Sequence, residues 1–122
     1  MRNKYITALF TICILTVFSN FLYSQNDPPV LSNIEGSALS YTEEDSPIDI
    51  TSNITISDTD DDSLESATVQ ITSNYLDSED VLDFTNTSSI TGSWNSSAGT
   101  LTLSGGTTLA NYEAALRNVS YE

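Results

Sequence analysis

The sequence predicts a mostly β chain, folded as an antiparallel sandwich with one short helix near its C-terminus. Three observations carry this reading. Short runs rich in Thr, Ser, Ile and Val recur between polar turn clusters, which is how half-buried strands of a two-layer fold are written. Ser66–Thr72 places Ala67, Val69 and Ile71 on one side and Thr68, Gln70 and Thr72 on the other. That period of two sets one face on a core and the other in water. Only Leu109–Arg117 departs from the pattern, with Leu109, Tyr112 and Leu116 at helical spacing.

Taken in order, the chain opens on Arg2 and Lys4, followed by an apolar run from Ile6 to Phe18 and a small residue, Ser24. This is the grammar of a secretory signal over residues 1–24. The run is too short for a permanent bilayer helix, which needs about 20 residues. Cys13 lies inside that run behind Ile12, a poor setting for lipidation. Secretion or surface display is therefore expected, with no membrane span after cleavage.

Asn26-Asp-Pro-Pro29 is turn-forming, and residues 25–34 read as a linker. The β domain is expected over 35–122. Ile54–Ile56, Val81–Phe84 and Thr100–Leu103 read as further strands, and Ser93–Asn95 forms a hairpin with Gly99–Gly105 across the turn Asn95–Gly99. Thr107 and Thr108 offer a cap, and Arg117 a favourable charge, to a helix of about two turns. A helix that short persists only when packed on the sheets. Asn118–Glu122 reads as a strand; a chain that stops on one suggests a domain lacking its last strand.

Charge excludes several function classes. The 122 residues contain 17 acids, 3 bases, no His and one Cys. Past residue 24 every acid remains, against one base, Arg117. Such a surface repels phosphate backbones, which argues against nucleic acid as a partner. Disulfides, Cys/His zinc sites and catalysis by His, Cys or Lys are closed to the mature chain. A paired-carboxylate glycosidase remains formally open. It needs an aromatic-lined cleft, whereas Trp94 alternates with Ser93 and Asn95 as a core or inter-sheet residue would. No catalytic residue is assigned.

The run Gly99-Thr-Leu-Thr-Leu-Ser-Gly105, followed by Thr108-Leu-Ala-Asn-Tyr-Glu-Ala-Ala-Leu-Arg-Asn-Val-Ser-Tyr121, resembles the end of a cadherin-like repeat of the chondroitin sulfate proteoglycan type. Such repeats are found in large bacterial secreted and surface proteins. Upstream, Tyr41-Thr-Glu-Glu-Asp45 is similar to the opening acidic turn. Ile54-Thr-Ile-Ser-Asp-Thr-Asp60 with Ser66–Ile71 is similar to the strand pair that follows it. The resemblance implies an Ig/cadherin-like sandwich. It also implies a non-catalytic adhesion or spacer module of a repeat array, partnered by neighbouring repeats, cell-surface proteins or polysaccharide.

Nine of the 17 acids fall between Asp58 and Asp83. Crowded carboxylates repel one another unless a cation neutralises them, and Ca²⁺ takes six to eight oxygen ligands from bendable loops. Mg²⁺ demands tighter geometry and is the poorer fit. Asp58, Asp60 and Asp62 alternate at a strand end. An EF-hand fails, since Ser63 stands at the glycine position and Val69 at that of the bidentate Glu. The cadherin-like arrangement implies Ca²⁺ ligands from Glu43 or Glu44 together with Asp58, Asp60 and Asp62, gathered at one pole. Solvated loops remain the alternative reading of these acids. A carbohydrate-binding accessory domain and a truncated, non-functional product are the alternatives for the chain as a whole. Asn53, Asn86, Asn95 and Asn118 head glycosylation-type triplets, which arise readily by chance in so Ser/Thr-rich a chain.

Overall fold

The structure is a computed structural model that describes residues 26–122. The expected signal, residues 1–24, lies outside the described residues. Eight strands and one helix follow in order: β1 Val30–Ser32, β2 Ile48–Asp49, β3 Thr55–Ser57, β4 Ser63–Gln70, β5 Leu82–Asp83, β6 Thr91–Asn95, β7 Thr100–Thr108, α1 Leu109–Arg117 and β8 Ser120–Tyr121. Every pairing is antiparallel, in sheets ordered β1-β3, β2-β8-β5 and β4-β7-β6. The chain is thus mostly antiparallel strands with a single short helix, in a sandwich-like arrangement.

The β6–β7 hairpin follows from its turn. Asn95 Oδ1 accepts the Ser97 amide at 3.1 Å and hydroxyl at 2.7 Å, while Ala98 N donates to Asn95 O at 3.1 Å. Gly99 leaves the turn at φ +59°, where a side chain is strained, and the Tyr75 ring lies directly over it. With that turn closed, Trp94 faces Leu101 and Gly92 faces Leu103. Leu101 and Leu103 enter the core, and Trp94 packs partly buried against it with Tyr75 edge-on, the rings 6.1 Å apart. Strand β4 pairs along β7, and Ala67, Val69 and Ile71 turn inward as their alternation requires.

Helix α1 occupies the predicted residues and begins at the predicted cap. Thr108 Oγ1 accepts the Asn111 amide at 3.3 Å. Its inner face buries Tyr112, Ala115 and Leu116 among Ile54, Ile56, Leu82, Phe84, Ile90 and Val119. Two polar side chains then bind it to β3. Glu113 accepts the Ile56 amide at 2.7 Å, and Arg117 donates to Ile54 O at 2.6 and 3.1 Å, with Glu113 beside it at 3.6 Å. The helix thereby satisfies backbone groups that a neighbouring strand would otherwise serve.

Two elements depart from expectation. Part of the stretch read as a linker, 25–34, is strand β1, paired from Val30↔Ser57 to Ser32↔Thr55. Pro28 and Pro29 mark a boundary, but it falls before the strand rather than after Ile34. Strand β2 arises from Ile48–Asp49, too short to show alternation, and is held by Tyr121 and Ser120 of β8. Strand β8 is the central member of its sheet, with β2 on one side and β5 on the other.

Candidate functional site

Strand β3 delivers the chain into the Asp58–Asp62 turn. Asp58 Oδ1 accepts the amides of Asp60 and Asp61 at 3.1 and 3.2 Å, an Asx turn that bends the chain back on itself. The Asp60 carboxylate accepts the Asp27 amide at 3.1 and 3.2 Å, and Thr59 Oγ1 donates to Asp27 at 3.1 Å. On the far side, Leu109 N, the first amide of α1, donates to Asp62 O at 3.1 Å. The turn is thus fastened both to the N-terminal segment and to the start of the helix.

Within it, Asp58, Asp60 and Asp61 each place a carboxylate oxygen within 4.8 Å of the others. This differs from the expected trio of Asp58, Asp60 and Asp62. Alternation assigns faces only while a chain is extended, and here it turns, so Asp61 joins the group. Asp62 contributes its carbonyl to α1 instead. The amides of Asp60 and Asp61 hold the Asp58 carboxyl below its ordinary range. Loss of surrounding water pushes Asp60 up, and the nearby Asp58 and Asp27 charges act in the same direction. The turn is therefore a place where negative charge is crowded and only partly relieved by N–H donors.

Glu43 and Glu44 do not join it. They line a recess of about 310 Å³ with Tyr41, Glu79, Asp80, Tyr121 and Glu122. Tyr41 and Tyr121 are edge-to-face at 4.9 Å, and the Tyr121 hydroxyl donates to Asp80, whose carboxylate pushes the phenol up to about 12. Tyr41 and Tyr121 also share a cavity wall with Gln70 and Ile71, at the end of β4 away from Asp62. The eight residues of β4 separate the two ends by roughly 23 Å. No single ion reaches both groups, so a one-pole site built from Glu43 or Glu44 with the Asp58–Asp62 turn does not form.

Comparison with protein-family models, curated proteins and solved structures finds no match to the chain. The donor chemistry of the turn must therefore be judged by itself. Three carboxylates at this spacing are hard oxygen ligands and fit Ca²⁺, with water, carbonyls or a second molecule completing six to eight positions.

One carboxylate at work escaped the sequence reading. Glu35 accepts from Thr51 Oγ1 at 2.7 Å, from Ser52 N at 2.8 Å and from Asn53 N at 3.1 Å. It pins the segment after β1 to the turn before β3. No local signal marks it, because its partners lie far along the sequence. The Ser52 amide, Thr51 hydroxyl and Asn53 amide hold its carboxyl down at about 2, against an ordinary 4.5. A carboxyl more acidic when folded adds stability above its unfolded value and loses it as pH falls through its folded value. Glu35→Gln is therefore expected to lower the melting temperature at pH 7. The gap from the parent should close between pH 4.5 and about 2. A gap that stays constant across that window would show that ionised Glu35 does not fasten the turn.

Proposed function

We propose that the chain is a non-catalytic extracellular module, adhesive or spacing in role, whose acidic Asp58–Asp61 turn is stabilised by Ca²⁺. The observation that carries the calcium reading is the convergence of Asp58, Asp60 and Asp61 within 4.8 Å. Export is read from residues 1–24 and the module's role from the cadherin-like resemblance. The acidic groups at both ends of β4 suit a unit that meets neighbours end to end, where a cation offsets the repulsion between facing carboxylates. Neighbouring repeats, cell-surface proteins and polysaccharide are the partner classes. No helix among the described residues is long and apolar enough to cross a membrane.

In this reading a bound ion supplies positive charge that the turn itself lacks. Asp58 and Asp60 keep their amide bonds, so the loop is already bent when the ion arrives. An ion that binds only the folded form stabilises it by about 2.7 kcal/mol at a hundred times its Kd. For a domain of this size that raises the melting temperature by roughly 10–20 °C. Melting should therefore rise with CaCl₂ and fall again with EGTA. The paired substitution Asp58→Asn and Asp60→Asn should remove the response. Identical melting curves in calcium and chelator would end the calcium reading.

A further inference from the structure

Strand β4 stands at the edge of its sheet: β7 pairs with one side, and among the described residues no strand pairs with the other. Beside that free edge runs a slot of about 470 Å³. Ser66, Ala67, Thr68 and Val69 all border it. Successive side chains of a strand point to opposite faces, so four in a row can border one space only if it lies along the strand's edge. The slot extends from Leu64 to Val69, roughly 17 Å, the length of a five- or six-residue strand.

The opposite wall is apolar and in water. Leu31, Ile34 and Leu39 are 50 %, 64 % and 48 % exposed, and all three border the slot. Apolar side chains at that exposure, concentrated along one groove, mark an interaction surface rather than the scattered apolar residues of an ordinary exterior.

We propose that this slot receives an extended apolar segment of another polypeptide, flanked by Lys or Arg, which adds as a strand to the free edge of β4. Two arguments select that occupant. A covered edge needs partners for its N–H and C=O groups, and only another backbone supplies both along its whole length. A lipid tail would fill the apolar volume and leave those groups unpaired, at a cost in free energy. The charge is one-sided as well. Glu35 is the only ionisable residue lining the slot, on a chain with 17 acids and 3 bases. A second copy would bring the same surplus of acids, whereas a basic flank is drawn in. The proposal needs neither calcium nor an extracellular compartment.

The test uses the full chain in EGTA, so that its outcome is independent of the calcium reading. The probe is a fluorescent synthetic peptide, Lys-Val-Thr-Ile-Thr-Val-Lys, followed by anisotropy. Saturable binding is expected, with amide shifts concentrated in Ser63–Gln70. Asp in place of both terminal Lys residues should weaken it at least tenfold. N-methylation at alternate residues should do the same, because it blocks strand pairing but keeps the side chains. Ala67→Arg, which fills the slot from β4, should also weaken binding at least tenfold without lowering the melting temperature. The proposal is overturned if the N-methylated or Asp-ended peptide binds as well as the parent. It is equally overturned if laurate binds where the peptide does not, or if the chain dimerises through β4 and Ala67→Arg abolishes the dimer.

Discussion

Replacing Gly105 with alanine is expected to destabilise the protein by about 3–5 kcal/mol. Gly105 lies in β7 at φ +145°, a conformation that side chains rarely adopt, and a Cβ there would sit 2.0 Å from Ser89 O and 3.1 Å from Ser89 C. The obstacle is backbone, which cannot rotate aside. It is also held in place, since the amides of Ser89 and Ile90 donate to Thr87 Oγ1 at 3.3 and 2.9 Å and Thr87 N donates to Ile90 O at 2.9 Å. Ile90 follows directly and is 1 % exposed, so any retreat of this turn disturbs the core. A small domain has a total stability near the lower end of 5–15 kcal/mol. The variant should therefore be largely unfolded at moderate urea concentrations where the parent is folded. Gly36→Ala is the control, because nothing lies within 4 Å of the added carbon. It should change stability by no more than about 0.5 kcal/mol. Equal urea midpoints for the two variants would refute the close approach of β7 to Ser89.

The second large effect is expected at Tyr112. This residue is 0 % exposed, and its hydroxyl donates to Gly105 O at 2.9 Å, tying α1 to the strand that precedes it. Tyr112→Ala removes the ring and leaves a cavity between helix and sheets, a change that costs about 3–5 kcal/mol. Tyr112→Phe keeps the ring and strands the carbonyl, at a cost of about 1–2 kcal/mol. Chemical denaturation of the two variants separates packing from hydrogen bonding. Were Tyr112→Phe as damaging as Tyr112→Ala, the hydroxyl rather than the ring would dominate this contact. Because Tyr112 and Gly105 share a hydrogen bond, the effects of Gly105→Ala and Tyr112→Ala should sum to more than that of the double variant.

These two positions lie where the sequence was most readable. The hairpin and α1 were legible because their signals are local: Asn95 and Gly99 close the turn, Thr108 caps the helix, and Leu109, Tyr112 and Leu116 repeat at its period. β4 was legible through the alternation of Ala67, Val69 and Ile71. β1 was not, because Val30–Ser32 is three exposed residues beside two prolines, and only its pairing with β3 makes it a strand. The acidic turn shows the same limit at the level of a site. Carboxylate density was visible along the chain, but whether Asp61 or Asp62 turns inward depends on two amides closing on Asp58. The separation of Glu43 and Glu44 from that turn is set by the length of β4. Glu35 illustrates the extreme case, an isolated acid whose partners at Thr51, Ser52 and Asn53 appear only once the chain has folded.

The central place of β8 has a consequence for how the molecule is assembled in time. Its two flanks are Ile48–Asp49 and Leu82–Asp83, so neither of its ladders is made by a neighbour in sequence. Closing such long loops costs chain entropy before any contact returns it, and it slows folding relative to local pairing. The β6–β7 hairpin and α1, contiguous from Thr91 to Arg117, carry no such cost. They are expected to form early, with the β2-β8-β5 sheet condensing onto them in the rate-limiting step. Substitutions in the hairpin should then slow refolding, whereas substitutions in β2 or β5 should chiefly hasten unfolding.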